Sequence, residues 1–143
     1  MDTTENFDLA EFLPYLLNMA AEQAGRGFQK YYKARYGMVR TEWRVVYHLG
    51  LGGDMTARDI CNRARTHKTK VSRAVTALEA RRFITRMQVE ADRRQEMLSL
   101  TPAGRAAYRD LSAMAKTFDD KLMAPFTSDE QAVLRKCLKL LAG

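Results

Sequence analysis

Between Lys68 and Arg82 the chain reads Lys-Thr-Lys-Val-Ser-Arg-Ala-Val-Thr-Ala-Leu-Glu-Ala-Arg-Arg. Val71, Val75 and Leu78 recur at helical spacing, so one side of a helix over about 67–82 is apolar. Thr69, Arg73 and Thr76 fall on the other side, flanked by Lys70, Ser72 and Ala77. A helix of this kind can dock on a protein core through one face. Its other face offers cations and hydroxyls to base edges and phosphates in a groove wide enough to admit it. Arg73 suits a bidentate contact to a guanine edge, worth about 1–3 kcal/mol of discrimination. Lys68, Thr69, Lys70, Ser72 and Thr76 can reach bases or phosphates. Taken alone, the same pattern also describes an ordinary amphipathic surface helix, so its surroundings decide between the two.

The charge is segregated. Residues 58–95 hold eleven Lys/Arg and four Asp/Glu, while the remainder holds thirteen of each. The whole net charge of +7 therefore sits in one block, the footprint of a polyanion binder. The block ends in Asp92-Arg93-Arg94, between two stretches that read as strands, Phe83–Gln88 and Gln95–Leu100. Two arginines carried by a hairpin can enter a minor groove or clamp a phosphate. Asp92 is misplaced against a polyanion unless it orients Arg94 through a charge-assisted hydrogen bond.

Helices must hold these parts. A long helix over about 12–35 carries Leu13, Leu16, Leu17, Ala20, Ala24, Phe28 and Tyr31. Asp8 and Glu11 have capping-box spacing and Pro14 fits a first turn; Gly25 and Gly27 would loosen it. Thr41 is the expected cap of a second helix bearing Trp43, Val46, Tyr47 and Leu49, which the run Gly50–Asp54 ends. Thr56 with Asp59 opens a third, whose apolar face is Ala57, Ile60, Cys61 and Ala64. After the hairpin, Thr101-Pro102 opens a long helix with Tyr108, Leu111, Phe118 and Leu122, stopped by Pro125. Ser128 with Gln131 opens a last helix. The middle of the chain is thus a helix-turn-helix followed by a two-stranded wing, and the predicted class is mainly α.

Other classes find little support. Apolar runs such as Phe12–Leu17 fall far short of the roughly 20 residues that span a bilayer. The N-terminal Met1–Glu5 lacks the features of a signal peptide, so a cytoplasmic location is expected, without membrane association. Cys61 and Cys137 make no disulfide framework, and with His48 and His67 they give no metal-ligand spacing. No nucleophile elbow or phosphate loop appears. The expectation is no enzyme, no metal and no cofactor.

The sequence resembles the MarR family of bacterial transcription regulators from about Leu13 onward. The residues that carry the likeness are Leu13-Pro14-Tyr15-Leu16-Leu17, Thr41-Glu42-Trp43-Arg44-Val45, Lys68–Val75 with Leu78-Glu79, Asp92-Arg93-Arg94, and Leu98-Ser99-Leu100-Thr101-Pro102-Ala103-Gly104. The resemblance implies one winged helix-turn-helix subunit. Segments 1–40 and 102–143 would be dimerisation helices and 41–101 the DNA-binding lobe. It further implies a homodimer on a pseudo-palindromic operator, with Arg94 in the minor groove. Repression relieved by a small phenolic or aromatic acid is implied too, with Tyr15, Trp43, Arg44 and Tyr47 lining the effector pocket. Two departures stand out. Arg82 occupies a place where the family usually has glycine after the recognition helix, so that turn differs or carries strain. Ala77 replaces a frequent arginine, so the operator cannot be inherited from relatives.

Two rival functions share this fold. One is a redox-sensing regulator, although Cys61 and Cys137 fall on apolar helical faces where thiols are usually inert. The other is a winged helix whose basic surface meets an acidic protein rather than DNA.

Overall fold

The computed structural model describes residues 6–143. The acidic start Met1–Glu5, and with it the first five residues of the 1–40 segment, lies outside them. The elements run α1 (Leu13–Tyr36), α2 (Arg40–Gly52), β1 (Met55–Thr56), α3 (Ala57–Ala64), α4 (Lys68–Ala80), β2 (Ile84–Val89), β3 (Asp92–Leu100), α5 (Pro102–Met123) and α6 (Ser128–Ala142). A short 3-10 turn, Leu9–Glu11, precedes them. The chain forms two compact units, Met1–Phe28 with Lys116–Gly143, and Gln29–Ala115. No helix among the described residues is long and apolar enough to cross a membrane.

The unit Gln29–Ala115 is a mainly helical winged helix-turn-helix. Its core gathers Val45, Val46 and Leu49 from α2, Ile60 from α3, and Val71, Ala74, Val75 and Leu78 from α4, closed by Ile84, Leu98 and Leu111. The sheet has three antiparallel strands in the order β1-β3-β2. β1 is only two residues long, and Met55 pairs with Leu98 across from it. On the other side Ile84 pairs with Leu100 and Arg86 with Leu98, with an irregularity after Gln88.

In the unit Met1–Phe28 with Lys116–Gly143, the Phe28 and Phe118 rings lie 5.6 Å apart. Gly27 does not loosen α1, as its type suggests. A Cβ there would come within 2.8 Å of the Phe118 ring, so the glycine makes room for it. Gln131 Nε2 donates to the Met123 and Phe126 carbonyls, closing the α5–α6 turn. Arg135 pairs with Asp119 at 2.7 Å.

Several element starts differ from the sequence reading. Asp8 caps the 3-10 turn, accepting from the Ala10 N–H, rather than α1. Thr41 lies inside α2, which begins after Val39; the Glu42 carboxylate reaches back to the Val39 N–H at 3.1 Å. A carboxylate at the third helical position can satisfy that donor without a hydroxyl cap. Thr127 with Glu130, not Ser128 with Gln131, caps α6. The hairpin is tighter than expected: Asp92–Arg94 belong to β3, leaving Glu90-Ala91 as the turn. Thr56 with Asp59 and Thr101 with Gly104 form the expected caps.

Candidate nucleic-acid interface

α4 presents its polar side as a continuous strip. Lys68, Thr69, Lys70, Ser72, Arg73 and Thr76 are all exposed, while Val71, Ala74, Val75 and Leu78 are buried beneath them. The helix is pinned at both ends. At its start, the His67 ring accepts from the Thr69 N–H at 3.2 Å, which places Lys68 and Thr69 in the first turn. The first turn of a helix carries N–H groups without intrahelical acceptors, a natural seat for phosphate.

The far end depends on two arginines. Arg82 sits in the left-handed region at φ 62, where a side chain is strained and glycine is not. The Phe83 N–H returns to the Leu78 carbonyl at 2.9 Å and Thr101 Oγ1 donates to the Arg82 carbonyl at 2.6 Å, holding the strained turn. Arg81 donates to the Tyr36 carbonyl at 2.6 Å and pairs with Glu42, whose side chain is almost fully buried. A buried carboxylate would be costly without such a partner. Sequence reading singled out Arg82 but missed the Glu42–Arg81 pair, whose members stand 39 residues apart.

The wing carries Asp92, Arg93 and Arg94 at the start of β3, all exposed. The Asp92 carboxylate accepts the Arg94 backbone N–H at 3.1 Å. It therefore orients the strand at Arg94, not the guanidinium itself. Among the described residues Lys68, Lys70, Arg73, Arg93 and Arg94 enter no ion pair, which leaves their charges available. Arg86 is the opposite case. It is tied to Glu79, Glu96 and Thr76, so Thr76 is already an acceptor within the protein.

Two cavities flank α4. One of about 660 Å³ lies between α3, α4 and the wing, with Arg58, Lys68, Arg86 and Arg94 around a floor that includes Val75 and Leu98. Cys61 also lines it and is partly exposed, so this thiol is less enclosed than its apolar helical face suggested. The other, about 550 Å³, opens beside Arg40, Thr41, Lys70 and Arg73. Both are rimmed by cations, as a surface that follows a phosphate backbone requires.

The residues expected around an effector are only partly brought together. Trp43 lies between Tyr32, with ring centroids 6.4 Å apart, and Tyr47 at 5.3 Å, and Tyr47 meets Tyr108. Arg44 is exposed on the same helix. Tyr15 belongs to the other unit and neither cavity includes any of the four. A cluster that sequence reading did not find joins α1 to α5. Asp110 accepts from the Tyr36 hydroxyl at 2.5 Å and the Tyr31 hydroxyl at 2.9 Å, and pairs with Arg35 at 3.1 Å. The Tyr36 hydrogen bond, with help from Tyr31 and Arg35, holds its carboxyl below the usual range. Cys137, expected on an apolar face, is exposed on α6.

Residues 36–95 match the model of the MarR family. Over 96 residues the chain is 26% identical to the uncharacterized HTH-type transcriptional regulator YwoH of Bacillus subtilis, covering 67% of this chain and 69% of that protein. A MarR/EmrR family transcriptional regulator from Acinetobacter sp. ADP1 superimposes with a TM-score of 0.83 at 26% identity, over 95% of this chain and 96% of that one. Bordetella bronchiseptica BpsR, whose DNA binding is regulated by 6-hydroxynicotinic acid, shares the fold with a TM-score of 0.87 at 20% identity. That match covers 95% of this chain and 96% of the other.

Proposed function

We infer that this chain, a transcriptional regulator of the MarR family, is a cytoplasmic homodimeric repressor that binds a pseudo-palindromic operator and is released by a small aromatic acid. The observation that carries the DNA-binding reading is the strip of uncommitted cations on α4 and the wing, set over a helix whose opposite face is buried. Arg73 reads a base in the major groove while Lys68, Thr69, Lys70, Ser72 and Thr76 contact bases or phosphates. Arg93 and Arg94 enter or clamp the minor groove, and Asp92 sets the strand from which Arg94 projects. Segments 1–40 and 102–143 supply the dimer contacts and 41–101 the reading head. The effector reading draws on BpsR, whose DNA binding responds to an aromatic acid. Here Trp43 and Tyr47 offer aromatic walls and Arg44 a carboxylate partner.

Fluorescence anisotropy on duplex DNA over a range of salt tests the DNA-binding reading. About 6–10 phosphate contacts from two lobes give a steep fall of log affinity with log salt. A flat plot removes it. The sign for Asp92→Ala sharpens the wing's part. Deleting a negative charge near DNA should tighten binding if only bulk charge matters. If Asp92 positions Arg94, binding weakens, and tighter binding at moderate salt eliminates that role.

A further inference from the structure

Arg86, a cation of the basic block with three partners inside the protein, lies at the base of the wing. Arg86 stands on β2 two residues beyond the buried Ile84, and so on the same face of the sheet, opposite Leu98. It marks the place where the hairpin leaves the core. Its guanidinium uses all three nitrogens. Nε lies 3.2 Å from a Glu79 carboxylate oxygen, Nη1 3.2 Å from a Glu96 carboxylate oxygen, and Nη2 donates to Thr76 Oγ1 at 3.2 Å. Thr76 and Glu79 are neighbours one turn apart on α4, and Glu96 is on β3. A single planar fork thus ties the recognition helix to both strands of the wing, a geometry that a lysine ammonium on its flexible stem does not reproduce.

We propose that Arg86 is a positioning residue that locks the wing to the recognition helix, so that Arg73 and Arg94 approach DNA as one rigid pair. The proposal rests on the DNA-binding reading above. Arg86 acts here through its partners rather than as a phosphate contact: three of its five N–H donors face two carboxylates and a hydroxyl of the protein. It also neutralises Glu79 and Glu96, which would otherwise repel DNA. Exposed ion pairs add little to global stability, so the latch acts on the orientation of the hairpin rather than on whether the domain folds. Without it, the wing must be ordered at the moment of binding, and that ordering weakens the complex.

The test is a double-mutant cycle between Arg86→Gln and Arg94→Ala, by anisotropy on a duplex that the wild-type protein binds. Arg86→Gln should weaken binding about tenfold, and Arg94→Ala should then cost less than half, on a logarithmic scale, of what it costs in wild type. Arg86→Lys should recover little. Glu79→Gln with Glu96→Gln leaves Arg86 in place but removes its anchors. Bulk charge would then favour tighter binding, whereas the latch requires the Arg94→Ala penalty to shrink here too. A uniform loss for Arg86→Gln with an undiminished Arg94→Ala penalty is what lost charge alone gives, and it overturns the proposal. Backbone 15N relaxation of the DNA-free protein provides a readout independent of binding. The Arg93 and Arg94 amides should gain motion in Arg86→Gln or in the double Glu variant, and unchanged order in both overturns the latch. A wild-type protein that binds no duplex would sink the DNA-binding reading instead, while the relaxation measurement still decides the latch.

Discussion

In the unit Gln29–Ala115, Val45, Val46, Leu49, Ile60, Val71, Val75, Leu78, Ile84, Leu98 and Leu111 are each no more than 2% exposed. In the unit Met1–Phe28 with Lys116–Gly143, Met123 alone among the described residues is buried. There Leu13, Leu16, Met19, Leu122, Val133, Leu134, Leu138 and Leu141 lie between 38% and 57% exposed. One unit closes a core from its own elements. The other presents apolar helical stripes on a scale that soluble monomers rarely leave open. The difference suits them to different work under the proposed function: the first unit can hold a reading head in shape by itself, and the second has the apolar exposure expected of half an interface. A second copy of the chain would cover it isologously.

The largest effect should come from the open unit. Leu134→Glu with Leu138→Glu should convert the proposed dimer to a monomer in sedimentation equilibrium. Duplex affinity should fall about 10²–10⁴-fold, since two linked heads bind with high effective concentration. A variant that remains dimeric would break the comparison. Next in size is the closed unit. Leu78→Ala, beneath the recognition helix, should cost about 2–5 kcal/mol in urea unfolding. By contrast, Leu140→Ala, at a side chain 73% exposed, should stay within about 0.5 kcal/mol. A smaller change concerns the turn after α4. Arg82→Gly removes a side chain from the left-handed region and should stabilise the closed unit by about 1 kcal/mol. An unchanged midpoint would mean that the strain at Arg82 is no larger than the unfolded-state entropy that glycine adds.

The smallest effect is a pH slope from His48 in the closed unit. Desolvation, aided by Arg63 and Arg44, lowers its pKa in the folded state. The unfolded chain binds that proton more readily, so stability falls as pH drops through and below the ordinary histidine value of about 6.5. His48→Asn should flatten this slope.

Periodicity made most of this architecture legible, because helices with one buried face leave a 3.6-residue imprint and the hairpin an alternating one. The strained turn at Arg82 was legible too, since an arginine stands where the MarR pattern favours glycine. Other features had no local signal. β1 is two residues long and exists because Met55 pairs with Leu98, a partner 43 positions away. The α6 start offered two hydroxyls, Thr127 and Ser128, each with a suitable partner three residues on, and periodicity cannot choose between adjacent caps. The cations of α4 and the wing could be listed from composition and face. That Arg86 is spent internally while Arg73 and Arg94 are not depends on Glu79, Glu96 and Thr76 converging on it in space. Spacing along the chain does not reveal that.

Reading of double-stranded DNA by two closed units at once is the proposal on which the rest depends. It is tested most directly by selecting bound sequences from a random duplex library, with wild type and Arg73→Ala side by side. Wild type should enrich a pseudo-palindrome with half-sites about 10 bp apart. Arg73→Ala should relax one position in each half-site, at a cost of about 1–3 kcal/mol per contact. No enrichment, or a single unrepeated site equally favoured by both proteins, would contradict it.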